Sequence, residues 1–263
     1  LEIAQGKYII FVDSDDYVTE NMCHLLYEAA KKYEADVVYG GIFYADGEKI
    51  KESKVVTKER VWKGKQEVKD LLLDFIATEP NEKKDTIMEV SVWKALFRKK
   101  VFDEYDISFV SERQFISEDV IFDIDYLSKC NCVVAIPEPV YFYCVNPNSL
   151  SKVFRTDRFN KVKKLYKEIL KKLIPIYGEE LSNRRGDRFL IARARTNARQ
   201  IIRHEKIIGK NKMMKALHNI CEDQDMNEIF QRYPIHLLPL KYRLVAYLMK
   251  YRCYHLLKII LGR

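Results

Sequence analysis

The sequence has few of the features that mark low-complexity, repetitive or membrane-spanning proteins. Nine glycines and seven prolines in 263 residues exclude a collagen-like chain. No uninterrupted apolar run approaches the roughly twenty residues that are needed to cross a bilayer. Because 48% of the residues are hydrophobic and 32% are charged, the chain is expected to fold around one large core or two smaller ones.

The sequence also lacks a spacing of cysteine and histidine that would build a metal centre. Among the six cysteines, the one close pair is Cys130 and Cys132, and no second pair or histidine cluster completes a zinc site. The five histidines are scattered along the chain. We therefore expect buried, reduced thiols in a cytosolic protein.

Charge is distributed unevenly along the chain. Residues 1–152 carry 20 Lys and Arg against 28 Asp and Glu, whereas residues 153–263 carry 26 against 10. This change of sign, together with the change of pattern near Ser151, predicts two domains, 1–152 and 153–263. The basic half requires an anionic partner such as a membrane or nucleic acid, or the acidic half of its own chain.

The first domain has the pattern of an α/β protein. The apolar run Tyr8 to Val12 predicts a buried strand. Thr19 is expected to cap the helix that follows. Asp36 to Tyr39 predicts a second strand, closed by Gly40 and Gly41. A strand, a helix and a strand in this order are typical of an α/β fold.

The second domain is predicted to be helical. Apolar residues recur at helical spacing from Val162 to Leu173, and Pro175 and Gly178 are expected to end that helix. Further helices are predicted over 182–206 and 210–221. Near the end of the chain, one helical arc carries Leu240, Leu244, Tyr247, Leu248 and Tyr251, with Lys241, Arg243, Lys250 and Arg252 on its flanks. This arc fits an interfacial membrane helix or a terminal helix docked on its neighbours.

Four residues after the first strand, Asp13-Ser14-Asp15-Asp16, form the strongest chemical signal. Alternate residues of an extended chain project to the same side, so Asp13 and Asp15 are expected to converge while Asp16 points away. Two carboxylates at the end of a strand suit Mg²⁺ or Mn²⁺, with substrate phosphates as further ligands. An acidic turn that favours the following helix is the alternative.

A second acidic motif, Ser117-Glu118-Asp119, precedes the apolar residues of another predicted helix. Serine is a preferred N-cap, and acidic residues in a first turn complement the helix dipole. If the carboxylate faces a cleft, it has the properties of a general base that takes a proton from an alcohol. Partial burial would raise its pKa and improve that match.

Several segments in a fixed order give the chain a family resemblance. GKYIIFVDSDDYV, ADVVYGG, VWKALFRKKVF, FISEDVIFDIDYL and PEPVYFYCVNPNSLSK together resemble the inner part of family-two inverting glycosyltransferases of GT-A fold. The resemblance covers residues 1–152. It implies an α/β fold with a partial, Rossmann-like GT-A core, followed by an all-helical C-terminal region.

The resemblance implies a role for individual residues. Asp13 and Asp15 fall on the family's DXD element and would hold the divalent cation, and Asp16 would lie next to the donor sugar. Asp119 would be the catalytic base, with Glu118 beside it. The remaining substrate contacts would come from Trp93, Lys94 and Ser149, although Trp93 also fits a core position and Ser149 a turn. Lys94 stands one place before the position at which family members often have lysine.

The implied reaction is transfer of a hexosyl or N-acetylhexosaminyl group, with inversion, from a nucleotide-sugar such as a UDP-sugar. The acceptor would be a hydroxyl of a surface polysaccharide, a cell-envelope glycan or a lipid-linked glycan in a bacterium. The enzyme would be cytoplasmic or peripheral on the inner membrane face, with the C-terminal helices on anionic lipid and with no nucleic acid as partner. The usual N-terminal, nucleotide-binding half of the family is missing before Leu1, so a fragment that is inactive alone is expected.

Two alternatives belong to other functional classes. Phosphohydrolases of haloacid-dehalogenase type also begin with a strand that ends in Asp-x-Asp, with the first aspartate as nucleophile. They have Thr or Val two residues after the second aspartate, where this chain has Tyr17. A non-catalytic protein that binds polyanions through its basic half is the second alternative, although no nucleic-acid-binding motif supports it.

Overall fold

The computed structural model describes residues 1, 3–88, 91–111, 114–145, 155 and 157–262. The chain divides into two compact units. Unit 1 consists of Leu1–Phe75, Met88–Val110 and Ser117–Val153, and unit 2 consists of Ile76–Ile87, Ser111–Ile116 and Phe154–Arg263. The last segment of unit 1 ends at Val153, next to the predicted boundary at residue 152. The sequence pattern did not indicate that Ile76–Ile87 and Ser111–Ile116 belong to the helical unit.

Unit 1 is built on a seven-stranded mixed sheet. Its strands are β1 (Tyr8–Ile10), β2 (Tyr17–Val18), β3 (Val37–Asp46), β4 (Lys49–Ser53), β5 (Arg60–Lys63), β6 (Ala95–Arg98) and β7 (Cys132–Cys144). The main path runs β1-β6-β3-β7-β2, and β4 and β5 pair with β3 and β7 respectively. Only β3 and β7 run parallel; the other pairs are antiparallel.

Helices cover both faces of this sheet. The helices of unit 1 are α1 (Met22–Tyr33), α2 (Lys65–Ile76), α3 (Lys99–Tyr105) and α4 (Asp119–Leu127). On one face, called the α1 face, Leu26 of α1 packs with Val38 of β3 and Val134 of β7 in a buried core. On the other, called the α4 face, Tyr39 contacts Phe75 of α2. The rings of Phe97 in β6 and Phe122 in α4 also meet there, 5.4 Å apart.

The two glycines expected to end the second strand lie within it. β3 continues through Gly40 and Gly41 to Asp46, and its register against β7 shifts at this point. A Cβ atom on Gly40 would lie 2.5 Å from Cγ2 of Val140, which is closer than two carbon atoms can approach. The glycines therefore allow close approach of β3 and β7, and the predicted strand end was wrong.

Neither of the two predicted N-caps caps a helix. α1 begins at Met22, and the Thr19 hydroxyl instead donates a hydrogen bond to the carbonyl of Val140, at 3.2 Å. α4 begins at Asp119, and Ser117 has a left-handed backbone with φ of 60°. In both cases the chain before the helix is turned by tertiary contacts or backbone geometry rather than by a side-chain cap.

Unit 2 is helical where the structure describes it. Its helices are α5 (Arg158–Tyr177), α6 (Glu179–Arg203), α7 (Glu205–Ile208), α8 (Lys210–Cys221), α9 (Gln224–Arg232), a 3₁₀ turn (Ile235–Leu237), α10 (Leu240–Lys250) and α11 (Tyr254–Leu261). The apolar stripe of α5 is buried at Val162, Leu165 and Ile169 as the spacing predicted. Pro175 lies inside the helix, which ends at Gly178 with φ of 79°.

The thiols are only partly buried. Cys130, Cys132 and Cys221 are buried, but Cys23 is exposed, and all six are free. The expectation of buried thiols was therefore wrong for Cys23. Cys144 and Cys253 have intermediate exposure.

The apolar arc of α10 is largely on the surface. Leu240 is 72% exposed, Leu244 46% and Tyr251 67%. Leu248 of the same arc is buried, and it forms the buried side of α10 together with Val245, Ala246 and Met249. Within the described part of the chain, no helix has both the length and the apolar content to pass through a membrane.

Candidate active site

The acidic turn follows β1 and is anchored by one aromatic side chain. The ring of Phe11 meets the rings of Phe97 at 5.8 Å, Phe109 at 5.1 Å and Phe122 at 6.3 Å on the α4 face. Burial of this ring fixes the chain two residues before Asp13. The backbone that carries the carboxylates of the turn is therefore held in place at its start.

Asp16 fastens the same turn to β7. Its carboxylate accepts a hydrogen bond from the Tyr141 hydroxyl at 2.8 Å and another from the Cys144 amide at 2.7 Å. The Tyr141 oxygen in turn accepts a hydrogen bond from the Asp13 amide at 3.1 Å. Asp16 thus orders the turn, a role that its place in the sequence did not indicate. Its proximity to a donor sugar stays a prediction.

Asp13 and Asp15 are exposed carboxylates that suit a hard cation. Burial raises the pKa of Asp13, and the negative charges of Asp16 and Asp15 raise it further. No Lys or Arg forms an ion pair with Asp13, Asp15 or Asp16 among the residues that the structure describes. The described part of the chain also contains no group of three or more Asp, Glu, His or Cys side chains that could hold a metal ion. A divalent ion that takes its other ligands from phosphate and water would fit this pair and relieve the repulsion.

Asp119 stands at the start of α4 with Glu118 before it. Burial raises the pKa of Asp119 to about 7, and the charges of Glu118 and Asp13 contribute to the shift. Because the ring of Phe11, two residues before Asp13, meets the ring of Phe122, three residues after Asp119, the acidic turn lies near the start of α4. A carboxyl group that ionises near neutral pH is suited to accept a proton.

Asp123 lies one helical turn after Asp119 and is completely buried. Burial raises its pKa well above the usual range, Asp119 adds to the shift, and the charge of Lys94 opposes it. The Tyr39 hydroxyl lies 3.5 Å from its Oδ1 atom, and Oδ2 has no hydrogen-bond partner in the described residues. The sequence did offer a signal for this buried carboxylate, because Asp123 lies four residues after Asp119, and its neighbours in the chain, Phe122 and Ile124, are apolar.

Two of the predicted substrate contacts lie on described residues and a third does not. Lys94 is 2% exposed, and its charge lowers the pKa of Asp123. Its contact with substrate stays a prediction. Trp93 packs with the core of the α1 face, where its ring lies 4.4 Å from that of Tyr141. Its position favours the core alternative. Ser149 lies outside the described residues.

Comparison with known proteins identifies the first part of the chain. Residues 1–106 match the family model described as glycosyl transferase family 2. This segment belongs to glycosyl transferase family 2. The match confirms the resemblance seen in the sequence and favours sugar transfer over the phosphohydrolase alternative.

Two curated relatives match beyond this segment. The uncharacterized glycosyltransferase EpsJ of Bacillus subtilis is 26% identical over 160 residues, which are 58% of this chain and 42% of EpsJ. The poly(ribitol-phosphate) β-N-acetylglucosaminyltransferase TarP of Staphylococcus aureus is 25% identical over 238 residues, which are 86% of this chain and 67% of TarP. The chain thus spans under half of EpsJ and about two thirds of TarP.

A solved structure shares the fold of this chain. TarS of S. aureus, residues 1–349 in complex with UDP-GlcNAc, aligns with a TM-score of 0.61 and 15% identity. The alignment covers 99% of this chain and 68% of TarS. The expected fold, an α/β core of GT-A type followed by helices, is confirmed.

Proposed function

We propose that this chain carries the metal-binding and catalytic carboxylates of an inverting glycosyltransferase. The observation that carries the proposal is the contact between Phe11, two residues before Asp13, and Phe122 of α4, which holds the acidic turn near the helix that begins at Asp119. Burial raises the pKa of Asp119 to about 7. An exposed carboxylate pair for a cation and a half-buried base near it are what transfer from a nucleotide-sugar requires.

In the proposed reaction, Asp119 accepts the proton of the acceptor hydroxyl, with Glu118 keeping its pKa high. The acceptor oxygen forms a bond to the anomeric carbon, and the bond from that carbon to the diphosphate oxygen breaks on the opposite face. The diphosphate leaves with the bonding electron pair. Asp13 and Asp15 would hold Mg²⁺ or Mn²⁺, which when bound supplies positive charge for the diphosphate.

The comparisons support a choice of substrates. TarS has been solved with UDP-GlcNAc and with UDP, and TarP is named as an N-acetylglucosaminyltransferase. We therefore propose a UDP-hexose or UDP-N-acetylhexosamine as donor. We propose a surface polysaccharide, cell-envelope glycan or lipid-linked glycan as acceptor, with the enzyme at the cytoplasmic face of the membrane.

A donor turnover assay tests the proposed function. The natural protein that carries this chain is incubated with a panel of UDP-sugars, and the released UDP is measured with Mg²⁺, with Mn²⁺ and after chelation with EDTA. We expect release of UDP that EDTA abolishes and no release of phosphate from p-nitrophenyl phosphate. Phosphate release without UDP release would contradict the proposal and favour a phosphohydrolase.

We further propose that α10 binds the surface of an anionic membrane. Leu240, Leu244 and Tyr251 present apolar surface to solvent, and Lys241 and Arg252 are exposed beside them. An apolar strip flanked by cations can enter the lipid boundary while its charges meet the headgroups.

The double variant Leu240→Glu, Leu244→Glu should reduce vesicle binding by at least about tenfold, because two apolar contacts are lost and two anionic charges added. Flotation with vesicles of phosphatidylcholine and phosphatidylglycerol measures the bound fraction. Ile207→Glu is the matched control, since Ile207 is 79% exposed elsewhere in unit 2. Equal binding of the double variant and the wild type would contradict membrane docking by α10.

A further inference from the structure

Three aromatic rings are stacked side by side across the end of the sheet. Tyr17 of β2 stacks on Phe142 of β7 with ring centres 4.3 Å apart and an interplanar angle of 15°. Phe142 stacks on Phe43 of β3 at 4.6 Å and 22°. The three residues are cross-strand partners in the sheet register. Such a row stiffens its members, because each ring is held by its neighbour.

The row lies on the same face of the sheet as the candidate base. Val18, Ile42 and Tyr141 pack with the core of the α1 face. Each precedes or follows a member of the row by one residue, and adjacent residues of a strand point to opposite faces. The rings therefore lie on the α4 face, which also carries Asp123 and the start of α4.

The outer ring of the row is available to a ligand. β2 ends the main path of the sheet, and Tyr17 is 48% exposed. Phe142 covers one side of the Tyr17 ring, and no second aromatic ring contacts Tyr17 in the described part of the chain. An aromatic face that is rigid and half exposed is suited to stack on the C–H side of a pyranose ring.

The charges around Tyr17 restrict what can bind there. Tyr17 directly follows Asp16, and Asp13 and Asp15 lie in the same turn. Carboxylates accept hydrogen bonds from sugar hydroxyls, but they repel phosphate and carboxylate groups. Tyr17 is next to the candidate metal ligands along the chain, and an acceptor must lie near those ligands for its hydroxyl to reach a donor sugar.

We propose that Tyr17 is the platform on which the ring of an uncharged acceptor sugar stacks. This inference rests on the proposed glycosyltransferase function and adds the acceptor class to it. Phe142 and Phe43 hold the Tyr17 ring in place from behind. The acceptor hydroxyl would then be presented towards Asp119.

Saturation-transfer NMR on the natural protein that carries this chain tests the proposal. The probes are methyl β-D-glucopyranoside, methyl β-D-galactopyranoside and the methyl glycoside of N-acetylglucosamine, with methyl β-D-glucuronide as anionic comparison. At least one neutral glycoside should show transfer to its ring protons, more strongly than the glucuronide. Tyr17→Ala and Tyr17→Leu should lower that affinity by about tenfold or more, whereas Tyr17→Phe should retain it.

Tyr27→Ala is the matched control, because Tyr27 is 45% exposed on α1, away from the row. Tyr17→Leu preserves apolar packing at β2, so its loss of binding reports the aromatic face and not unfolding. Unchanged sugar signals in Tyr17→Leu, a stronger signal from the glucuronide, or no signal from any neutral glycoside would each overturn the inference. Metal-dependent UDP release, measured in parallel, shows separately whether the proposed function stands.

Discussion

Replacing Asp119 with asparagine is expected to lower kcat/KM for sugar transfer by about two to four orders of magnitude. The amide cannot accept the proton of the acceptor hydroxyl, while the shape of the side chain is retained. The assay measures UDP release and glycan product at pH 8 with saturating Mg²⁺, on the natural protein that carries this chain. Activity within a few-fold of the wild type would exclude Asp119 as the base.

The pH profile gives this prediction a second readout. The pKa of Asp119 is about 7, and the ionised form is active, so the wild-type rate should rise as pH increases through 7 and then level off. Glu118→Gln keeps the base but removes a charge that raises its pKa, so its profile should move to lower pH. The residual rate of Asp119→Asn should lack this dependence.

Stability provides the folding control for the same variant. The pKa of Asp119 is raised from 3.8 to about 7 in the folded chain, so ionisation opposes folding. The full cost applies above about pH 7, decreases as pH falls towards 3.8, and is absent below that. Asp119→Asn removes the ionisable group. It should therefore melt at the same or a higher temperature than the wild type at pH 8, and the difference should be smaller at pH 5.

Asp13→Asn and Asp15→Asn are expected to reduce transfer by about a hundredfold or more and to raise the Mn²⁺ concentration needed for half-maximal rate. Each substitution removes a negative hard-oxygen ligand, and electrostatic stabilisation by a cation contributes several kcal/mol to such reactions. Paramagnetic resonance of free Mn²⁺ gives the affinity directly. If both variants bound Mn²⁺ as the wild type does, the cation site would have to lie elsewhere.

Asp16→Asn is the matched control for the metal variants. Its carboxylate is held by Tyr141 and by the Cys144 amide, so its loss should mainly affect folding. Hydrogen bonds to a charged group contribute about 1.5–3 kcal/mol each. We expect a lower melting temperature with Mn²⁺ affinity closer to wild type than in the other two variants.

The sequence predicted the features that depend on local pattern. The apolar run after Gly6 identified β1, helical spacing identified α5 and α6, and an acidic motif after the first strand identified the turn at Asp13. These predictions succeed because burial of one face imposes a short repeat that the sequence displays directly. The family resemblance then placed Asp119 beside the turn, which no local pattern could do.

Features that depend on distant partners could not be predicted in this way. Gly40 and Gly41 resembled a strand end because they allow close approach of distant residues, which are Val140 for Gly40 and Pro139 and Ser53 for Gly41. Thr19 resembled an N-cap for the same reason, since its true acceptor is also Val140. The burial of Lys94 could not be predicted either, because the carboxylate on which its charge acts, Asp123, lies 29 residues further along the chain.

Tyr141 contributes both to the packing of the core and to the geometry of the acidic turn. Its ring is part of the hydrophobic core against α1, and its hydroxyl orders the acidic turn. A substitution that loosens the packing beneath this ring would shift the tyrosine and with it the carboxylates of the candidate site, before the chain as a whole unfolds. In a mutational scan, positions of α1 that lie outside the candidate site would therefore score as if they were part of it.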